Sequence, residues 1–160
     1  MPISTLSANL VVQWTLSHSN APFASTTQGP DGIEYNLSNL NAVFDQVYAA
    51  QLSVPATSTT TLDLTALTNL VNEALDFSAL LFLFALPQAE GVVVGPGASN
   101  GLPIFGGTNA VTVPVNGGLF WGGDPAGTGL VVSSTAKTLA FQNTSGGTLT
   151  LDLVLAGKAP

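Results

Sequence analysis

Leucine occupies every second position from Leu149 to Leu155, with Thr150, Asp152 and Val154 between. A two-residue period places all four leucines on one side of an extended strand and the intervening residues on the other. In a helix the same spacing would scatter them around the axis. The segment therefore commits the end of the chain to a sheet with one face against a core. The turn-forming stretch Asn143-Thr144-Ser145-Gly146-Gly147 precedes it, and residues 138–142 read as its hairpin partner.

Short apolar runs separated by Gly, Pro, Asn and Ser recur upstream, the pattern of a sandwich or barrel. Val111, Val113 and Val115 alternate, and Pro114 among them lacks an amide donor, so this strand lies at a sheet edge or its proline faces away from pairing. Gly117-Gly118 leads into Leu119-Phe120-Trp121, and Leu130-Val131-Val132 forms a further strand beyond the loop at 122–127. Residues 10–16, 43–52 and 59–64 are rich in the β-branched and aromatic residues that suit half-buried sheet. Residues 77–86 are apolar at both odd and even positions, as in a central strand covered on both faces or a core helix, and Pro87 and the aromatic content favour the strand.

Leu67, Leu70, Val71 and Ala74 recur at three- and four-residue steps, so a short helix is expected within residues 65–74. Residues 17–32 are turn-rich and nearly uncharged and read as a long surface loop or arm. The glycines Gly91, Gly95, Gly97, Gly106 and Gly107 read as turn residues, because no Gly-Lys-Ser/Thr follows them to make a phosphate cradle. With 160 residues the chain fits one compact domain. The expected fold is all-β: a single antiparallel β-sandwich or jelly-roll-like domain over residues 1–160, with at most one short helix.

Charge narrows the function. Lys137 and Lys158 are the only basic residues against nine acidic ones, for a net charge of −7. Phosphate neutralisation needs clustered cations, so neither nucleic acid nor an anionic membrane is an expected partner. The longest apolar run, residues 79–86, falls far short of the roughly 20 residues of a membrane helix. No basic stretch followed by an apolar core opens the chain, so no secretory signal is expected. Charged residues make up 7% of the sequence, against about 25% in an ordinary soluble domain. A surface of Ser, Thr, Asn and Gly keeps copies apart less effectively than charge does, which points to a protein that contacts neighbours.

Residues capable of chemistry are sparse. The single histidine, His18, is flanked by Ser17 and Ser19 without a nucleophile-elbow motif, and it reads as a solvated loop residue. Asp63, Glu73, Asp76 and Asp124 are the candidates for a paired-carboxylate hydrolase, but turn, helix-end and strand-surface roles account for them. The absence of cysteine leaves neither a disulfide framework nor a thiolate metal site. Asp31, Glu34 and Asp124 are the residues that a loop calcium ion would use, and no metal or cofactor is expected. Trp14, Phe105, Phe120 and Trp121 would serve either a glycan platform or core packing. The apolar loop Leu102-Pro103-Ile104-Phe105 is where contact with a partner is expected, so Ile104, Phe105 and Trp121 are the candidate interaction residues.

Thr61-Leu62-Asp63-Leu64-Thr65-Ala66-Leu67-Thr68, Phe77 opening an apolar strand, Val113-Pro114-Val115-Asn116-Gly117-Gly118-Leu119-Phe120, Thr138-Leu139-Ala140-Phe141-Gln142-Asn143 and Leu151-Asp152-Leu153-Val154-Leu155-Ala156-Gly157 together form a pattern. It resembles small phage virion structural proteins of the decoration or tail-associated type. The resemblance implies a β-sandwich with no active residues, made in the host cytoplasm and carried in the virion as a capsid decoration, minor coat or tail component. Its implied partners are copies of itself and other virion proteins. A carbohydrate-binding or adhesive module and a bacterial surface filament subunit are the alternatives, and none of the three is an enzyme.

Overall fold

The computed structural model describes residues 8–12, 15–16, 27–28, 33–37, 44–69, 72–122 and 128–160. The chain divides into two compact units, Met1–Ala42 and Val43–Pro160. In the first unit, β1 (Ala8–Val12) pairs antiparallel with β4 (Ile33–Leu37), and β2 (Thr15–Leu16) pairs antiparallel with β3 (Thr27–Gln28). The stretch read as a loop or arm, residues 17–32, thus contributes a short strand of its own.

The second unit contains two facing antiparallel sheets. One runs in the order β12 (Leu119–Gly122), β9 (Ala79–Pro87), β15 (Leu149–Lys158), β5 (Gln46–Val54), with β13 (Leu130–Val131) also paired to β9. The other runs β11 (Val111–Val113), β10 (Val92–Pro96), β14 (Thr138–Gln142), β6 (Thr59–Asp63). Setting β13 aside with the small hairpin between β6 and β9, the remaining strands count one to eight along the chain. The sheets then read 6-3-8-1 and 5-4-7-2, which is the jelly-roll arrangement of an all-β sandwich.

The core lies between the sheets. Leu149, Leu151, Leu153 and Leu155 are at most 1% exposed, as the alternation requires. Leu83 and Ala85 of β9 join them, and Val92, Val94, Leu139 and Phe141 meet them from the opposite sheet. Each of the leucine, valine and phenylalanine side chains contributes roughly 1.5–3 kcal/mol by leaving water. Close approach fixes one glycine: a Cβ on Gly157 would overlap the Ala79 carbonyl oxygen and lie 2.9 Å from Phe77 Cδ1, at the point where the β15–β9 register shifts.

Three local expectations are corrected. Residues 138–142 and 149–155 are not a hairpin, since β14 pairs with β10 and β6 while β15 pairs with β5 and β9. Both strands bury a face, and the chain between them crosses from one layer to the other. The crossing is fixed by Asn143, whose Nδ2 donates to the carbonyls of Val54 (3.0 Å), Pro55 (3.1 Å) and Gly147 (2.8 Å). Its Oδ1 accepts from the Ser145 amide and hydroxyl, so this fully buried amide is satisfied.

No helix forms within the described part of residues 65–74: β7 (Leu67–Thr68) pairs with β8 (Ala74–Leu75). Asparagine decides this, because Asn72 takes the left-handed conformation (φ 62°) and Asn69 Oδ1 accepts from the Glu73 amide at 2.9 Å. Finally, Gly95 is a strand residue rather than a turn residue, in β10, where Val92 and Val94 reach the core and Ala110 packs against Gly95.

Candidate assembly face

The two outer faces of the sandwich differ in chemistry. On the four-stranded sheet, Thr112, Val93, Gln142 and Thr59 lie side by side across four strands. Thr61 and Asp63 continue that face along β6, so it is polar and wettable. On the five-stranded sheet the corresponding row is Phe120, Phe84, Val154 and Ala49. Phe82, Leu86 and Val47 extend it along β9 and β5.

The apolar character follows from the double-faced run at residues 79–86. Alternation sends Leu83 and Ala85 inward and Phe82, Phe84 and Leu86 outward, where they stay half-buried. Phe120 is 40% exposed and Val131 60%, so apolar surface of this sheet reaches water. Phe120 meets Phe82 edge-on with ring centroids 5.1 Å apart, and the Phe44 and Phe82 centroids are 6.5 Å apart. Gly122 Cα is shielded by Phe120, whose Cε1 is 3.2 Å from where a Cβ would stand.

A single acid marks the polar end of the face. Asp152 accepts from Gln51 Nε2 at 2.9 Å and from Gln88 Nε2 at 2.7 Å, through different carboxylate oxygens. Gln51 and Asp152 are direct cross-strand neighbours. Asp45, just before β5, accepts from the Ala159 amide through its carboxylate, and Asp63 lies on the other sheet. Lys137 Nζ stands 2.6 Å from Asp63 Oδ2, and Asp63 Oδ1 accepts from the Thr65 amide and hydroxyl. Burial alone would raise the Asp63 pKa, but the hydrogen bonds from Lys137 and Thr65 outweigh it and hold the carboxyl below its ordinary value. A hydrogen bond from Asn69 likewise lowers Glu73.

The interaction residues inferred from sequence fall largely inside the molecule. Ile104 is 5% exposed and belongs to the core, beside fully buried Leu102, so it is unavailable to a partner. The loop is drawn in by backbone hydrogen bonds from Leu102 to Thr138 and from Ile104 to Leu102. Phe105 and Trp121 are partly buried and pack against the same core. Trp121 stands opposite Leu83 in the register, which points it inward, whereas its neighbour Phe120 points outward. Of the aromatics considered for a glycan platform, only Phe120 is exposed among the described residues. Trp14, His18, Asp31 and Asp124 lie outside the described residues, and Glu34 falls in β4. Among the described residues no three His, Cys, Asp or Glu side chains group as a metal site would need.

A run apolar at both odd and even positions reads in sequence as covered on both sides, which hides the outward row. The signal that finds it is Phe120, an aromatic at the outward position of a short glycine-flanked edge strand beside that run. No protein-family model matches the chain, and neither the curated proteins nor the solved structures contain a match.

Proposed function

We propose that this chain is a non-enzymatic structural subunit that works by assembling with copies of itself into a larger particle, and that the particle is a virion. The observation that carries the assembly reading is the asymmetry of the sandwich: a Thr-rich outer face on one sheet and the Phe120–Phe84–Val154–Ala49 row on the other. Water-facing sheet alternates apolar-in with polar-out, and contiguous exposed apolar surface marks contact sites. β5 and β9 have nine residues and β15 ten, with the four-residue β12 beside them, so the face runs about 30 Å along the strands and about 14 Å across the three long ones.

A second copy suits this face better than a charged partner. The chain carries −7 overall, yet at the ends of this face Asp152 is hydrogen-bonded to two glutamines and Asp45, just before β5, accepts from the Ala159 amide. Two such faces meet without opposing lysines or unscreened like charge at the row itself. The jelly-roll topology supports the virion setting, since capsid proteins use it, although lectins use it as well. The inward packing of Trp121 and Phe105 favours the structural role over a glycan-binding one.

Mass spectrometry and gold-labelled antibody microscopy of particles released from the source cells test the setting. The chain is expected at regular positions on particles in fixed copy number. Its absence from purified particles would overturn the virion reading.

A further inference from the structure

The two sheets offer four edges, and three of them are blunted. β11 has three residues and is followed at once by Pro114. β12 has four and ends at Gly122. β6 has five and closes on Asp63, ion-paired to Lys137. Short length, proline and charge are the devices that keep an exposed strand from pairing with another chain. β5 has none of them: it is nine residues long, Gln-Val-Tyr-Ala-Ala-Gln-Leu-Ser-Val, without charge, proline or glycine. Among the described residues β15 is the one strand that pairs with it, along its whole length. Its two ends are tied, Gln46 Oε1 accepting from the Asp76 amide and the Val54 carbonyl from Asn143. The seven residues between carry no charge, and their outer edge has no strand partner among the described residues.

We infer that β5 pairs antiparallel with β5 of a second copy, joining two five-stranded sheets into one continuous sheet across a two-fold axis at Ala50. The inference rests on the self-assembly reading and names one of its interfaces. A strand paired antiparallel with its own copy is self-complementary about a central residue. Centring on Ala50 sets Tyr48 opposite Leu52, Ala49 opposite Gln51 and Val47 opposite Ser53, so no charge faces a charge although each copy carries −7. Inward residues stay inward: Tyr48, Ala50 and Leu52 pack against each copy's core, and Val47 and Ala49 remain on the outer face. The two apolar rows then lie in line on one side of the joined sheet. Main-chain hydrogen bonds supply the contact, as in other strand-addition interfaces.

Native mass spectrometry of Val47→Lys/Ser53→Lys, which sets lysine opposite lysine at both ends, tests the pairing alongside circular dichroism to verify folding. The wild type is expected as an even-numbered assembly and the lysine pair at half its mass. Val47→Glu/Ser53→Lys sets opposite charges across the same axis and is expected to restore the full mass. Because the chain contains no cysteine, Ala49→Cys/Gln51→Cys gives a second readout: directly opposed residues are close enough to form a disulfide-linked dimer on mild oxidation, while either single variant is expected to stay unlinked. A folded lysine pair of unchanged mass, or no disulfide in the double-cysteine variant, overturns strand pairing and leaves assembly by other surfaces standing. A monomeric wild type overturns both.

Discussion

Asn143 Nδ2 donates to the Val54 carbonyl at 3.0 Å, and through that contact the crossing from β14 to β15 is bound to the crossing from β5 to β6. Backbone bonds from Asn143 to Ser58 and from Thr57 to Ser145 complete the tie. Both crossings carry the chain between the two sheets, so one buried amide holds two corners of the jelly roll.

Asn143→Ala removes the donor to three carbonyls and the acceptor for Ser145. A buried polar group left without its partner costs about 1–3 kcal/mol, so the variant is expected to lose on the order of 3 kcal/mol in chemical denaturation. Asn143→Asp should lose at least as much, because a carboxylate cannot donate to carbonyls and repels them. A loss under about 0.5 kcal/mol for Asn143→Ala would show that the corners hold without it.

Adjacent residues on β15 should respond oppositely to substitution. Leu153 is 1% exposed, and Leu153→Ala is expected to cost about 2–5 kcal/mol. Asp152→Asn keeps an oxygen for one of the two glutamines and should cost less than about 1 kcal/mol. Equal thermal shifts for the two variants would count against the strand's orientation.

Gly157→Ala should destabilise severely for a reason unrelated to hydrophobicity. The added methyl meets the backbone of Ala79, which cannot yield as a flexible side chain would. Expression of soluble, folded Gly157→Ala with a melting temperature near that of the wild type would contradict the close approach of β15 and β9.

Asp63 predicts an acid sensitivity with a definite sign. Its folded-state pKa is lowered, so its contribution to stability is complete above the unfolded-state value and disappears as pH falls through the folded-state one. Lys137→Met removes the partner and should flatten that acid limb of the stability profile. Identical profiles for the two proteins would mean that the 2.6 Å pair contributes nothing.

Much of the sandwich was readable from local pattern. The leucines of β15, the valines of β11 at a sheet edge and the strand at 138–142 obey a period of two that survives folding. What pattern does not encode is which strand each one meets. The turn-forming residues at 143–147 suit a hairpin and a crossing equally, and the choice was made by Asn143 binding Val54, 89 positions away. The helix assigned within residues 65–74 failed because two asparagines outweighed a weak apolar spacing. The contact site was displaced for a related reason: Ile104 looks like an exposed loop residue in sequence, yet Leu102 and Ile104 fold back against β14. The apolar outer row exists only once Phe120, Phe84 and Val154 are brought into register from separate strands.

Assembly driven by the outer row of the five-stranded sheet is open to a direct measurement. Native mass spectrometry at micromolar concentration, run on the wild type and on Phe120→Asp/Val154→Asp with melting curves for both, measures this. The wild type is expected as a discrete oligomer and the double variant as its dissociated form, with a far smaller change in melting temperature. A wild type that is monomeric and binds no particle, or a folded double variant that assembles as the wild type does, would contradict assembly through this row.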